Sequence, residues 1–202
     1  MTRKFSGTEL VLASHNKGKL DEFSEMFSKA GIAVKLLSAG DLGVESPVET
    51  GVTFVENSIL KARFVANATG KIALADDSGV TVDALDGAPG VYTADWAEEK
   101  GPRDFDYVMK KIYTLMGDNP NRKAQFVSVL TLCWLDGHCE TVEGIAPGVI
   151  VWPPRGEHGH GCDPIFRPDG YGITYAEMPR EKKNAISHRA ISFQKMMDKC
   201  FK

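Results

Sequence analysis

The sequence predicts an α/β fold in which a mixed central β-sheet carries helices on its faces. Three observations support this. In the first half, short apolar runs alternate with segments of helical spacing, the pattern of successive β-α units. Residues 125–135 form a long β run ending at Asp136-Gly137, a strong two-residue hairpin signal, so the second half adds antiparallel strands. At 202 residues, with 43% hydrophobic and 25% charged side chains, the chain is long enough to bury a proper core as one large domain or two small lobes.

The elements follow in order. Residues 8–14 read as a strand and 17–30 as a helix with Leu20, Phe23, Met26, Phe27 and Ala30 on one side, closed by Gly31. Ile32-Ala33-Val34-Lys35-Leu36 alternates as a second strand, and residues 38–51 form an acidic loop. Thr53 and Glu56 form a capping box, opening a helix that stops at Gly70, with a core stripe of Val55, Ile59, Ala62 and Ala66. Ile72-Ala73-Leu74-Ala75 is a third strand running into Asp76-Asp77-Ser78-Gly79. Pro102 opens a helix striped by Phe105, Val108, Met109, Ile112 and Met116, and Gly117 stops it. After the hairpin come a Pro/Gly loop from Pro153 to Pro164, a short strand at Ile165-Phe166 and a last helix beginning at Ser187-His188-Arg189.

Composition excludes several classes. A net charge of −3 argues against a general nucleic-acid binder, and no apolar run approaches the length of a membrane span. The N-terminal residues Met1 to Phe5 lack the apolar core of a signal peptide. A two-residue turn places Cys133 opposite Glu140, and none of the four cysteines forms a CxxC pair. All four therefore read as reduced thiols, in keeping with a cytoplasmic protein. Charge is uneven: residues 36–60 contain no Lys or Arg, whereas residues 179–202 hold seven basic side chains against two acidic ones. That asymmetry suits a magnesium-bound polyphosphate, or simply solubility.

Chemistry concentrates at a few places. The hexapeptide Ser14-His15-Asn16-Lys17-Gly18-Lys19 turns a strand into a helix, where unpaired backbone N–H groups and the helix dipole favour a phosphate. The same residues also make an ordinary helix cap with two solvated lysines. They do not form a Walker A loop, because there is a single glycine and Leu20 follows Lys19, so a metal would need carboxylates from elsewhere. Asp76 and Asp77 sit at a strand end, the edge where open α/β sheets bind ligands, and their side chains should point to opposite faces. One should face the ligand and the other support; a simple β-turn is the alternative. Arg189 at a helix start is unfavourable for the dipole, which hints at an anionic or hydrogen-bonding partner. Zinc is disfavoured by the close spacing of His158, His160 and Cys162.

Taken together and in order, these motifs resemble the inosine/xanthosine triphosphate pyrophosphatases, the Ham1-type nucleotide hydrolases. The matching segments are Ser14 to Lys19, Glu49 to Ala62, Ala75 to Gly79, Gly87 to Tyr92, Gly161 to Phe166 and Lys183 to Arg189. The resemblance covers nearly the whole chain. It implies an elongated mixed sheet with flanking helices, two lobes around a nucleotide cleft, and a single domain over residues 1–202. It also implies a homodimer, magnesium dependence, and hydrolysis of ITP, dITP or XTP to the monophosphate and pyrophosphate. Carried over residue by residue, Ser14, His15, Asn16, Lys17, Gly18 and Lys19 grip the triphosphate, Glu49 and Asp77 hold the metal, and Lys61 lies by the phosphates. Asp77 is the base that activates a metal-held water for attack on the α-phosphorus. Ser78 contacts the substrate, and His160, Gly161, Cys162, Asp163, Lys183, His188 and Arg189 enclose base and sugar. The family usually has aromatics at positions 160 and 162, where this chain has His160 and Cys162. Two other readings fit a related architecture: a non-catalytic nucleotide binder, or a pyrophosphatase for modified pyrimidine triphosphates.

Overall fold

A computed structural model describes residues 2–202. Strands β1 (Glu9–Leu12), β2 (Lys35–Ser38), β3 (Ala73–Val82), β4 (Lys123–Cys133), β5 (Cys139–Ile150) and β6 (Phe166–Pro168) form one sheet in the order β2-β1-β3-β4-β5-β6. β1 runs parallel to both β2 and β3, with Leu10 opposite Leu36 and Leu12 opposite Leu74, while β5 and β6 are antiparallel. The sheet is therefore mixed, as expected. Helices α1 (Lys17–Lys29), α2 (Phe54–Thr69), α3 (Thr93–Glu98), α4 (Phe105–Met116), α5 (Arg180–Ile186) and α6 (His188–Met196) complete the order, and a π-helical turn follows α6 at Met197–Phe201.

The chain forms two compact units, and β3, β4 and β5 each contribute to both. The first unit comprises the chain up to Asp77 together with Val129–Glu143 and Ser192–Lys202. Its core is built from Leu10 and Leu12 of β1, Phe23 and Phe27 one turn apart on α1, Leu130 and Leu132 of β4, and Phe193 and Met196 of α6. Phe27 meets Phe193 edge to face at 5.0 Å between ring centroids. Each such fully buried side chain contributes roughly 1.5–3 kcal/mol of transfer free energy. The second unit, Ser78–Ser128 with Gly144–Ile191, has its own core of Val80, Val82, Val108, Ile112, Phe126, Ile165, Phe166 and Tyr175. There Phe126 stacks on Phe166 at 4.2 Å.

Several expectations needed correction. β2 begins at Lys35 rather than Ile32, because residues 32–34 close the turn after α1: the Ile32 N–H donates to Phe27 O, and the ladder starts only with Lys35 N–H on Thr8 O. α4 starts at Phe105, capped by Asp104, whose Oδ1 accepts from the Tyr107 N–H at 3.0 Å. The inward face of α2 is Ser58, Ala62, Val65 and Ala66, while Val55 is exposed. Small side chains on that face bring α2 close to β3, where Ala62 packs with Ala75 and Cys133.

The hairpin also differs, and with it the cysteines. Gly137 (φ 82°) follows a turn in which its N–H donates to Trp134 O, and the Trp134 N–H donates to His138 O at 2.9 Å. This is a three-residue loop with glycine in the left-handed position, one residue longer than the Asp-Gly signal suggested. The extra residue shifts the register by one, so Cys133 faces Cys139 rather than Glu140, and the two sulfurs form a disulfide. Cys162 and Cys200 are free and buried.

Candidate active site

The residues expected to carry the chemistry fall into two groups, one in each unit. In the first unit, β1 delivers the chain to the turn before α1. The Asn16 N–H donates to Ser14 Oγ at 3.1 Å, and Asn16 Oδ1 accepts from the Lys19 N–H at 3.2 Å as the N-cap of α1. Ser14 and Asn16 thus shape the turn, leaving the N–H groups of the first helical residues outside the intrahelical ladder. Lys17 is exposed, and Lys19 reaches Asp76, its Nζ 2.9 Å from Oδ2. His15 is turned to the acidic loop: its Nε2 lies 2.8 Å from Val44 O and its Nδ1 2.9 Å from Ser46 Oγ.

Asp76 and Asp77 occupy the middle of β3, not its end. It is the neighbouring strand that stops. β1 ends at Leu12, opposite Leu74, so the two aspartates still lie just past the carboxyl end of the parallel part of the sheet. Alternation sends them opposite ways, Asp76 to Lys19 and Asp77 to Lys61. Lys61 sits one turn beyond Asn57 on α2, and its Nζ donates to Asp77 Oδ1 at 2.5 Å and to Glu49 Oε2 at 3.3 Å. Three successive elements, the acidic loop, α2 and β3, therefore converge on one ammonium.

The electrostatics of this trio are uneven. Burial pulls the Lys61 ammonium down, but Asp77 and Glu49 more than offset that, and it stays above its ordinary value. Burial pushes the Asp77 carboxyl up to about 6, with Lys61 opposing part of the rise. The cation keeps its proton, and the carboxylate carries the desolvation cost. Asp77 Oδ2 is buried with no hydrogen-bond partner. A buried carboxylate oxygen left without a donor is costly, and such an atom usually marks a place where something else binds. Carboxylate oxygens suit a hard divalent cation, so Asp77 Oδ2 and the half-exposed Glu49 fit magnesium. Among the described residues no three His, Cys, Asp or Glu side chains converge as a metal cluster. Two carboxylates are what magnesium commonly takes when substrate phosphates and water complete its shell.

In the second unit, Asp163 organises the loop before β6. It is buried, its Oδ2 accepts from the His160 N–H at 2.8 Å, and the same oxygen pairs with Lys183 of α5. Gly159 (φ 80°) passes so close to this carboxylate that a Cβ would fall 2.0 Å from Oδ2, which excludes any side chain there. His160 is exposed at the loop tip. Cys162 packs into the second core, and burial pushes its thiol up to about 12, so it offers a small hydrophobic side chain and no ligand face. Ser187 separates α5 from α6 and caps the latter, its Oγ accepting from the Ala190 N–H at 3.1 Å. At the start of α6, His188 is buried edge-on against Phe126, and Arg189 is buried with Nη2 donating to Ser78 Oγ at 3.3 Å. The acceptor that the dipole argument wanted for Arg189 includes this serine. Neither α5, which carries Lys183, nor the Phe126 contact of His188 has a local sequence signal.

Comparison with known proteins places these features in context. Residues 10–199 match the Ham1 family. A dITP/XTP pyrophosphatase of Ruegeria pomeroyi is 50% identical over 205 residues, covering 100% of this chain and 99% of that protein. One of Zymomonas mobilis is 48% identical, covering 99% and 95%. Among solved structures, the Ham1 protein of Staphylococcus aureus superposes with a TM-score of 0.83 at 33% identity, covering 94% of this chain and 96% of that one. A HAM1 protein of Coxiella burnetii gives 0.83 at 36% identity, covering 95% and 98%. With the family match spanning nearly its full length and relatives at half identity over all of it, the chain belongs to the Ham1 family.

Proposed function

We propose that this protein hydrolyses non-standard purine nucleoside triphosphates, of the ITP, dITP and XTP type, to the nucleoside monophosphate and pyrophosphate. The observation that carries this reading is the state of Asp77: buried, one oxygen held by Lys61, the other unpartnered, with Glu49 on the same ammonium. The names of the relatives, dITP/XTP pyrophosphatases, supply the substrate class.

In this reading Asp77 accepts the proton of the attacking water. Lys61 fixes the Asp77 carboxylate through Oδ1 and leaves Oδ2 to act. Lys17, with the N–H groups at the start of α1, binds the triphosphate, and Lys19, set by Asp76, adds positive charge. Magnesium, held by Asp77 and Glu49, would supply Lewis-acid neutralisation of the developing charge on the phosphates. Ser78, His160, Lys183, His188 and Arg189 serve base and sugar recognition, with Asp163, Gly161 and Cys162 shaping that loop. Donors aimed at a 6-oxo group would be left unpaired by adenine, which favours oxo-purines over ATP. We further read the protein as a cytoplasmic homodimer, the setting its nucleotide substrates and the family resemblance imply. No described helix is long and apolar enough to cross a membrane.

The test is pyrophosphate release from a panel of triphosphates (ITP, dITP, XTP, ATP, GTP, CTP, UTP), with and without magnesium. Preferential release from the first three, dependent on the metal, is expected. No release from any of them, or preference for a pyrimidine, overturns the proposal.

A further inference from the structure

The stretch of the acidic loop that brings Glu49 to Lys61 is not seated by burial. Val48 is 81% exposed, and Glu49 and Thr50 are exposed as well. Before it, Leu42, Gly43 and Val44 N–H donate to Ser38, Gly40 and Ala39 O and Val44 packs on the core of Val11, Ala39 and Val65; beyond Val44, side chains fasten the loop at each end. At the far end, three consecutive backbone N–H groups are taken up by side chains in the first turn of α2. Gly51 donates to Asn57 Oδ1 at 2.8 Å, and Val52 and Thr53 donate to Glu56 Oε2 at 2.8 and 3.0 Å. Gly51 lies so close to the helix that a Cβ would come within 2.5 Å of Asn57 Oδ1 and 2.7 Å of Glu56 Cβ.

The near end is fastened by His15. Val44 O can only accept, so Nε2 carries a proton and donates to it, and Nδ1 pairs with the Ser46 hydroxyl at 2.9 Å. Both ring nitrogens are thus spent on the loop. The seat is shaped for the imidazole: Gly40 faces it so closely that a Cβ would sit 2.9 Å from His15 Cδ2. Beside it, Ser38 Oγ donates to Ser14 O at 3.1 Å and accepts from the Asp41 N–H at 3.4 Å. Between the two fastenings, only residues 47–50 span freely, and Glu49 is among them.

We propose that His15 is a positioning residue and not part of the phosphate grip: it fastens the acidic loop to the turn before α1 and thereby sets Glu49 over Lys61. The role assigned to Glu49 rests on the proposed function; the fastening itself does not.

The first experiment is hydrogen exchange on the full chain without nucleotide or metal. In His15→Ala, the amides of residues 42–46 should exchange about tenfold faster, the equivalent of one net hydrogen bond lost. The amides of Gly51, Val52 and Thr53, held by α2, should be unchanged. Gly40→Ala, which displaces the ring without removing it, should give the same pattern. Unchanged exchange at 42–46, or acceleration throughout the first unit, overturns the proposal. The second experiment is enzymatic. His15→Ala should raise the magnesium concentration for half-maximal activity about three- to tenfold while leaving metal-free affinity for an unreactive ITP analogue intact. Weakened metal-free affinity with an unaltered magnesium requirement would place His15 on the phosphates and also overturn the proposal. Should the native protein hydrolyse no triphosphate, the proposed function fails, and the exchange measurement still decides the role of His15.

Discussion

Replacing Asp77 by asparagine should abolish turnover and yet stabilise the metal-free protein. At neutral pH the folded state keeps an ionised carboxylate in a site that raises its pKa from 3.8 to about 6. A rise of that size corresponds to about 3 kcal/mol of stability forgone above pH 6. The sign follows from proton binding: between pH 3.8 and 6 the folded state holds a proton that the unfolded chain has released, so stability falls as pH rises through that window. Asparagine carries no charge, so the fall disappears. The pull of Lys61 is already contained in that rise, and in the variant Lys61 keeps Glu49 at 3.3 Å. The expectation is a variant up to about 3 kcal/mol more stable than the native protein at pH 7.5 in EDTA, with the difference vanishing near pH 4. Magnesium at about a hundredfold its Kd should stabilise the native protein by about 2.7 kcal/mol and the variant by much less. Urea titrations at pH 4, 5, 6 and 7.5, with and without metal, measure all three quantities, and pyrophosphate release measures the fourth. A variant that is destabilised by more than 1 kcal/mol at pH 7.5, or that retains turnover, refutes the account of Asp77.

Other outcomes follow from particular contacts. Burial pushes the Glu140 carboxyl up, but Lys199, the Arg3 N–H and His138 together hold it at about 2, so its contribution is present above about pH 4.5 and lost as pH falls toward 2. Glu140→Gln should remove roughly 2 kcal/mol from the acid limb of a stability–pH curve; an unchanged limb refutes it. Gly159→Ala forces a methyl group into the Asp163 carboxylate that anchors the loop, and should raise KM for ITP at least tenfold while circular dichroism stays native. His160→Phe places a larger aromatic face at the exposed loop tip and should lower KM for ITP; an unchanged or higher KM shows that position 160 does not stack on the base.

Much of this molecule was legible in local chemistry. Capping box, stop glycine and apolar stripe located α2 and α4 to within a few residues, because these signals act within one turn of chain. The hexapeptide and the two aspartates announced themselves in the same way, and the alternation of a strand was enough to send Asp76 and Asp77 to different partners. Local reasoning failed where a neighbour decides the answer. Asp76 and Asp77 looked like a strand end, but β3 continues, and only the shorter β1 beside it creates the edge. The hairpin was misread by one residue because an Asp-Gly pair suits either a two-residue turn or a three-residue loop with glycine left-handed. That single residue determines whether Cys133 meets Glu140 or Cys139. Apart from the family resemblance, nothing local in the sequence sets Lys61 off from any other helix lysine; tertiary packing buries it against Asp77 and Glu49, and burial is what lifts the Asp77 pKa. His15 belonged to the phosphate motif by position, yet its hydrogen-bonding atoms went to Val44 and Ser46, some 30 residues away, because the parallel pairing of β1 with β2 brings that loop against the start of α1. The chain itself thus determines which residues can cap, turn, coordinate or carry charge. Their pairing, and so the electrostatics that lift a carboxylate's pKa, is decided only when separate elements share a low-dielectric site.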